Sequence, residues 1–374
     1  MATTNPANLP GAPVNPSEAQ GAQIPLQSFK IPAFPPEARG LKALTLTCDI
    51  KVDEYQSLLS QPYSIPDSIP FAIESLTLEL FSLGYPAGFL NRLAERLPNL
   101  KSVVVYSQLL GGISKESTDD AVAFFQKLPS LRALHLLDVF AKPGFFGQIA
   151  PWLKYNDSEL PSEARRGLMF LEVNYTFRHE DEDFMAQIPA SELAALIGPG
   201  LISCSFNISA PEDASEDEQD PSNIQNAGAS KEGVMAFNKT LSTSIAEALV
   251  KDESRPRGLR ALNSTLFTFS LEQFQKVLAA QKNVMILNAT LEVEPGETCK
   301  KGLLKALEPC AQLEQVEIVA NPSLQFFMEV SLAIFARFTM GKVLIYATGA
   351  EPALRRCRED FPLGSGHGRL VRQM

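Results

Sequence analysis

The stretch LPNLKSVVVYSQLLGGISKESTDDAVAFFQKLPSLRALHLL, residues 97–137, decides the fold. It contains the phrase L-P-x-L twice, at 97–100 and 128–131, and a short, largely apolar segment follows each copy. Between the copies, residues 119–128 (DDAVAFFQKL) carry apolar side chains at helical spacing. A strand, a helix and a second strand therefore follow one another within a period of about thirty residues.

The strand pattern L-x-x-L-x-L, with other apolar residues tolerated, recurs along the chain. The first residues of successive copies are 32, 27, 31, 37, 33, 58, 25, 29 and 30 residues apart, so only one interval departs clearly from thirty. A looser strand around 343–346 closes the series. The residues at the apolar positions are Leu41, Leu44, Leu46, Ile73, Leu76, Leu78, Leu100, Val103, Val105, Leu131, Leu134, Leu136, Leu168, Leu171, Val173, Leu201, Cys204, Phe206, Leu259, Leu262, Val284, Leu287, Leu313, Val316 and Ile318.

Between the strands the apolar period changes from 2 toward 3.6, which predicts helices over 87–97, 119–128, 271–280, 301–307 and 324–338. Ser117 and the pair Ser270 and Gln273 are candidate helix starts. One strand and one helix cannot bury their apolar sides alone, but stacked copies can share a core. The sequence therefore predicts an α/β solenoid with parallel strands on its concave face and helices on its convex face.

These repeats resemble a known family. The strand template, the period and the L-P-x-L-x-x-L joints at 97–103 and 128–134 are similar to the leucine-rich repeats of ribonuclease-inhibitor and F-box type proteins, especially the irregular repeats of fungal F-box/LRR-like proteins. The resemblance covers about residues 39–347 and implies a leucine-rich-repeat horseshoe. The chain departs from the family in lacking the regular asparagine at the repeat's turn and a visible F-box before the first repeat.

Three segments fall outside the repeat. Residues 1–38 are rich in proline and are predicted to be a disordered tail, and residues 351–374 a C-terminal tail. Residues 209–233 form an acidic insertion within the solenoid, which is expected to span 39–350. The insertion is either a solvated loop or a docking or phosphorylation segment, because Ser215 lies among acidic residues.

Charge and cysteine content narrow the class of protein. The formal net charge is -10, and no basic stripe is present, which argues against nucleic acid and against an anionic membrane surface. Five scattered cysteines form no C-x-x-C pair, which indicates free thiols in a reducing compartment. Because residues 1–40 contain no apolar run of signal length, a cytoplasmic or nuclear location is expected.

Six N-x-S/T sequons argue the other way, since glycosylation requires secretion. They begin at Asn156, Asn174, Asn207, Asn238, Asn263 and Asn288. Four of the six fall on predicted strands, and we interpret those as repeat-related polar positions.

No group of residues predicts catalysis, a metal or a cofactor. His179 opens the run HEDED (179–183), which lacks a second His or Cys at ligand spacing and is interpreted as an exposed loop. His367 lies in GSGHG (364–368), whose context fits neither a dinucleotide site nor a phosphate-binding loop. A pairing of Cys204 with His135 is disfavoured, because the template points Cys204 inward and His135 outward.

The outward residues of the strands are predicted to form a partner-binding surface on the concave sheet face. This surface contains no Lys or Arg, so it suits a basic or mixed protein segment and not phosphate. The assignment of Asn288 is the weakest, because the alignment of its strand is ambiguous. The alternative is that all of these are merely solvated sheet residues. The predicted surface comprises Thr45, Thr77, Val104, His135, Glu172, Ser205, Asn263, Asn288 and Glu317, with Glu79, Tyr106, Phe170, Asn174 and Asn207 beside them.

The sequence thus favours a non-catalytic protein–protein interaction module. The family resemblance implies one alternative, a substrate-recruiting adaptor that binds ubiquitin-ligase components. The other alternative is an enzyme of unrecognised type, against which the shortage of histidines and of nucleophile motifs counts.

Overall fold

The computed structural model describes residues 21–154, 167–176, 188, 190–209, 242–251, 258–292, 296–320 and 342–347. One sheet runs through these ranges, and each strand lies beside the strands that precede and follow it in the chain. Every pairing is parallel. The strands are β1 (Gly21–Leu26), β2 (Ala43–Cys48), β3 (Ser75–Glu79), β4 (Ser102–Leu110), β5 (Ala133–Ala141), β6 (Phe170–Thr176), β7 (Ser203–Ser209), β8 (Ala261–Ser270), β9 (Ile286–Glu292), β10 (Gln315–Ala320) and β11 (Lys342–Ala347).

Helices connect the strands and lie on one side of the sheet, because right-handed crossovers between neighbouring parallel strands all return over the same face. We call the opposite face, which the described helices leave uncovered, the open face. This arrangement confirms the predicted leucine-rich-repeat-like α/β solenoid. The helices are α1 (Val52–Leu58), α2 (Phe89–Arg96), α3 (Lys115–Gln126), α4 (Phe145–Leu153), α5 (Ala190–Leu193), α6 (242–250), α7 (Leu271–Ala280) and α8 (Glu297–Leu307).

The core lies between the sheet and the helices, and the template positions supply it. Leu134 pairs in register with Val103 on one side and Leu171 on the other, and all three are buried. The same alignment continues through Cys204, which is also buried. Neighbouring repeats therefore place equivalent apolar side chains in contact, and a single apolar cluster extends along the described sheet.

Helix boundaries follow local capping. The helix predicted over 271–280 is observed at those bounds, and the predicted capping box of Ser270 and Gln273 is present. The other three described helices differ from the prediction at their ends by up to four residues. The predicted start at Ser117 is wrong: Ser114 caps α3 by accepting from the Ser117 N–H (3.1 Å), and Ser117 closes the capping box. The helix predicted over 324–338 lies outside the described residues.

The prediction of a disordered tail is wrong for residues 21–38. Strand β1 extends the sheet beside β2, and Leu26, Phe29 and Ile31 are buried in the core. Apolar residues alternate along β1 at Ala22, Ile24 and Leu26, but the high proline content of residues 1–38 led to the prediction of disorder. Residues 1–20, most of the acidic insertion and residues 351–374 lie outside the described residues.

Proline in β1 has a specific place. The Asp49 N–H donates to the Leu26 carbonyl (2.9 Å), so the backbone hydrogen-bonding groups of Leu26 face β2. In a parallel strand the backbone groups of neighbouring residues face opposite sides. The backbone nitrogen of Pro25 therefore faces away from β2, toward the outer edge of the described sheet. Its missing N–H removes a donor from that edge without weakening the pairing with β2.

The stack continues across the 58-residue interval because β7 pairs directly with β8, with residues 203–206 in register with residues 261–264. Helix α6 precedes β8, and the Gln281 side chain lies next to both. Its Nε2 donates to the Leu249 carbonyl (2.7 Å), and its Oε1 accepts from the Leu259 N–H (3.2 Å). On the same side of the sheet, Gln273 donates to Thr243 (3.0 Å). These hydrogen bonds join the repeat before β8 to the repeat after it, and all of them lie on the carboxyl-terminal side of the insertion.

A carboxylate from the next repeat caps α2. This helix begins after Gly88, whose φ of 88° is left-handed and which offers no side chain to cap the first turn. Asp120 of α3 accepts from the backbone N–H groups of Leu90 (2.9 Å) and Asn91 (3.0 Å). In this first turn the Phe89 N–H donates to the Pro86 carbonyl (3.1 Å), and the next two N–H groups are satisfied through contact with α3.

The same arrangement recurs two repeats later. Helix α4 also begins after a left-handed glycine, Gly144, with φ of 88°. Glu192 of α5 accepts from the N–H groups of Gly144 (2.5 Å) and Phe146 (3.2 Å). The inter-repeat carboxylate cap is thus a recurrent feature of this solenoid.

Truncating a core template residue should destabilise the stack. We expect Leu134→Ala to lower the free energy of unfolding by about 2–5 kcal/mol, because the side chain is buried between two repeats and its removal leaves a cavity. Leu137→Ala is the matched control on the open face and should cost less than about 1.5 kcal/mol. Urea unfolding followed by circular dichroism measures both, and equal losses would contradict the assignment of the two faces.

Removing the inter-repeat cap should weaken α2. We expect Asp120→Ala to cost about 1–3 kcal/mol, since two backbone N–H groups lose their acceptor. Asp119→Ala is the control, because Asp119 is exposed and pairs only with Lys115. Hydrogen exchange at the Leu90 and Asn91 amides should accelerate in the first variant alone. Unchanged protection of those amides would show that Asp120 does not cap α2.

Candidate functional site

The open face carries the outward side chains in three rows that cross the strands. The middle row holds nine residues, and each lies in register with the next. This alignment includes Asn288, which pairs with Asn263 and Glu317, so the ambiguity in its strand is removed. The middle row consists of Thr45, Thr77, Val104, His135, Glu172, Ser205, Asn263, Asn288 and Glu317.

Two further rows flank the middle row. The first row, toward the strand starts, includes the predicted Phe170. The third row, toward the strand ends, includes the other four predicted residues, so the structure brings the whole predicted set onto one surface. From β2 to β10 the first row is Ala43, Ser75, Ser102, Ala133, Phe170, Ser203, Ala261, Ile286 and Gln315, and beyond it Lys342 of β11 lies in register with Gln315. The third row is Thr47, Glu79, Tyr106, Leu137, Asn174 and Asn207.

Large apolar side chains stand exposed on this surface. Tyr106, Phe170 and Ile286 are 40%, 39% and 37% exposed, which is high for residues on a sheet whose other face is fully buried. Leu137 is half-buried beside Tyr106. Sequence reasoning missed Ile286 and Leu137, although the strand alternation that selected Phe170 would have placed both outward.

Polar residues of the open face bond to one another across strands. His135 Nδ1 and Glu172 Oε2 lie 2.7 Å apart on neighbouring strands. The Thr47 hydroxyl donates to Glu79 Oε2 (2.7 Å). These contacts orient the carboxylates of Glu79 and Glu172 without any lysine or arginine in the three rows.

Asparagine is concentrated over β6–β9. Asn174 and Asn207 are paired in the third row, and Asn263 and Asn288 in the middle row. Asn207 donates to Ser205 Oγ (2.8 Å). The Oδ1 atoms of Asn263 and Asn288 are shielded from solvent and accept no hydrogen bond from the described residues. These four asparagines begin four of the six sequons, so those sequons lie on the sheet. Two of their threonines have structural surroundings: Thr290 is buried, and the Thr176 hydroxyl donates to Asp138 Oδ2 (2.8 Å).

Basic residues occur at the rim where the strands begin. Backbone hydrogen bonds join the residues just before successive strands, and this rim contains Lys42, Lys101, Arg132 and Arg260. Lys42 and Lys101 both pair with Glu74, at 3.3 and 2.8 Å. The bond from Lys101 is the main cause that lowers the pKa of Glu74 below its ordinary value. The rim is thus partly neutralised, and the rows beside it are neutral or acidic.

The residues considered for catalysis are not brought together. Cys204 is fully buried in the core, whereas His135 lies on the open face and contacts Glu172. Burial raises the pKa of the Cys310 thiol to about 11 and also raises that of Cys48, so neither is a ready nucleophile at neutral pH. Within the described ranges, no group of three or more His, Cys, Asp or Glu residues could hold a metal ion. The HEDED and GSGHG runs lie outside those ranges.

The described part of the chain contains no helix of the length and apolarity that crossing a bilayer requires.

Comparisons with known proteins add little beyond the architecture. No family model and no curated protein matches the chain. Among solved structures, an internalin of Listeria monocytogenes aligns over 84% of this chain and 66% of its own, with 12% identity and a TM-score of 0.36. The leucine-rich-repeat-containing protein LegL7 of Legionella pneumophila aligns over 87% of this chain and 91% of its own, with 14% identity and a TM-score of 0.37. Similarity this distant carries no argument about function, and the fold assignment rests on the chain's own sheet.

Proposed function

We propose that this chain is a non-catalytic interaction protein that binds a partner protein through the open face of its sheet. The observation that carries the proposal is the continuous outward surface, on which Tyr106, Phe170 and Ile286 stand exposed among polar residues. Exposed aromatic side chains surrounded by polar groups are the usual anchors of protein interfaces. None of these outward residues contributes to the core, which the inward residues of the same strands form.

The charge of the open face indicates the charge expected on the partner's surface. Between β2 and β10 the three rows contain Glu79, Glu172 and Glu317 and no basic residue, and Lys342 of β11 is the register neighbour of the first row. The partner surface should therefore be basic or mixed in charge. The rim holds four basic residues, and two of them pair with Glu74, so too few positive charges remain for a phosphate-binding stripe. Protein therefore fits this surface better than nucleic acid does. No specific feature of the described residues favours the ubiquitin-ligase adaptor or an enzyme.

Reversing two charges of the middle row should abolish partner capture. We expect Glu172→Lys together with Glu317→Lys to lose the proteins that the wild-type chain retains in affinity purification with mass spectrometry. The physical reason is that two acidic positions on one surface become repulsive toward a basic partner. Thermal stability should change little, since both side chains are at the surface.

The matched control reverses two charges on the helical side. Glu54 and Glu272 are exposed on α1 and α7, and Glu54→Lys with Glu272→Lys changes the net charge by the same amount. Partners kept by the control and lost by the open-face variant support the proposal. If the open-face variant keeps every partner, the proposed binding surface is wrong.

A further inference from the structure

A trough crosses the first row between β6 and β9. Phe170, Ser203, Ala261 and Ile286 occupy equivalent positions on these four strands, so two small side chains lie between two large ones. With strands about 4.8 Å apart, the backbones that carry Phe170 and Ile286 are separated by roughly 14 Å. Part of that width is taken by the two large side chains, and the remaining channel runs along the strand direction.

The floor of the trough is neutral and polar. Ser205 and Asn263 follow Ser203 and Ala261 two residues later on the same strands, and Asn288 follows Ile286. The Asn263 and Asn288 Oδ1 atoms lack a donor among the described residues, although a solvent-shielded amide oxygen normally has one. The floor therefore offers carboxamide and hydroxyl groups that match the donors and acceptors of a peptide backbone.

The β6 side of the trough combines an apolar and an acidic group. Glu172 follows Phe170 by two residues, which places both side chains on the same side of the strand about 6.6 Å apart. His135 holds Oε2 of Glu172 at 2.7 Å, so the carboxylate is fixed at the edge of the channel. A chain in extended conformation also repeats its side chains every two residues, at the same distance.

We propose that this trough binds an extended peptide segment of the partner, with an apolar residue against Phe170 and a Lys or Arg two positions away against Glu172. The proposal rests on the proposed function and specifies its binding mode. Side chains of the bound segment point alternately toward the β6 and β9 sides. Its backbone N–H and C=O groups point alternately toward the floor, where Ser205, Asn263 and Asn288 meet them.

Two physical considerations favour this occupant. A helix with its side chains is about 10–12 Å across and is too wide for the channel once Phe170 and Ile286 are accounted for. A phosphorylated or strongly acidic segment is disfavoured, because Glu172 borders the channel and no basic residue lies in the three rows. A neutral-to-basic extended segment satisfies both the width and the charge.

Selection from a random peptide library tests the proposal directly. Twelve-residue peptides displayed on phage are selected on the purified full chain, and the selected sequences are aligned. We expect a shared pattern of an apolar residue, any residue, then Lys or Arg, or its reverse. Selection on the Glu172→Lys chain should replace the basic preference with Asp or Glu, because the charge at the edge of the channel is reversed.

Affinity measurements on a selected peptide locate the contacts. Phe170→Ala and Glu172→Gln should each weaken binding by about tenfold or more, as expected for anchor contacts. Phe71→Ala and Glu54→Gln are the matched controls, because both residues are exposed away from the open face, and they should leave affinity unchanged. N-methylation of single backbone amides in the centre of the peptide should weaken binding about as much as the anchor variants do.

Several outcomes would overturn the proposal. It is wrong if no peptide is enriched, or if enriched peptides bind the controls and the Phe170 and Glu172 variants equally well. It is also wrong if N-methylation has no effect, since the backbone would then not be recognised. One result separates this proposal from the proposed function. If no peptide is enriched, but the Glu172→Lys, Glu317→Lys variant still loses its partner proteins, the extended-peptide mode is wrong and the open face remains the binding surface.

Discussion

The structure depends on the registered packing of equivalent apolar side chains from neighbouring parallel strands. One strand with its helix exposes an apolar side on each flank, and only the next repeat can cover it. Leu134 illustrates the constraint. It lies between Val103 and Leu171 of the neighbouring strands, and a single repeat would not bury it. The outward residues of the same strands are free of this constraint, so their chemistry can vary without loss of the core.

Strand order and the composition of the open face follow directly from the repeat. A period of about thirty residues places each strand beside the previous one, and the alternation of side chains assigns every strand residue to a face. The middle row from Thr45 to Glu317 could therefore be predicted residue by residue, before any coordinates. The functional role of these residues does not follow from the pattern, since a solvated row and a binding row look the same in sequence.

Features that need tertiary contact were not visible in the sequence. Strand β1 does not stand out in the sequence because its apolar alternation is short and lies in a proline-rich segment, and only pairing with β2 makes it a strand. The predicted start of α3 was wrong because Ser114 and Ser117 both fit a helix cap, and local spacing does not choose between them. The trough required the register of β6–β9 across the 58-residue interval, which the pairing of β7 with β8 sets and which no local motif predicts.

The carboxylate caps give the solenoid a direction. Asp120 of α3 serves the helix before it, and Glu192 of α5 likewise serves α4, so each of these helices needs the repeat that comes after it in the chain. Loss of either neighbouring repeat exposes an apolar side, but loss of the repeat on the carboxyl-terminal side also leaves the preceding helix with unpaired N–H groups. Loss of the repeat on the amino-terminal side leaves instead an unpaired carboxylate at the surface. Fraying should therefore travel more easily from the carboxyl-terminal end than from the other, and the two ends of this stack are not energetically equivalent.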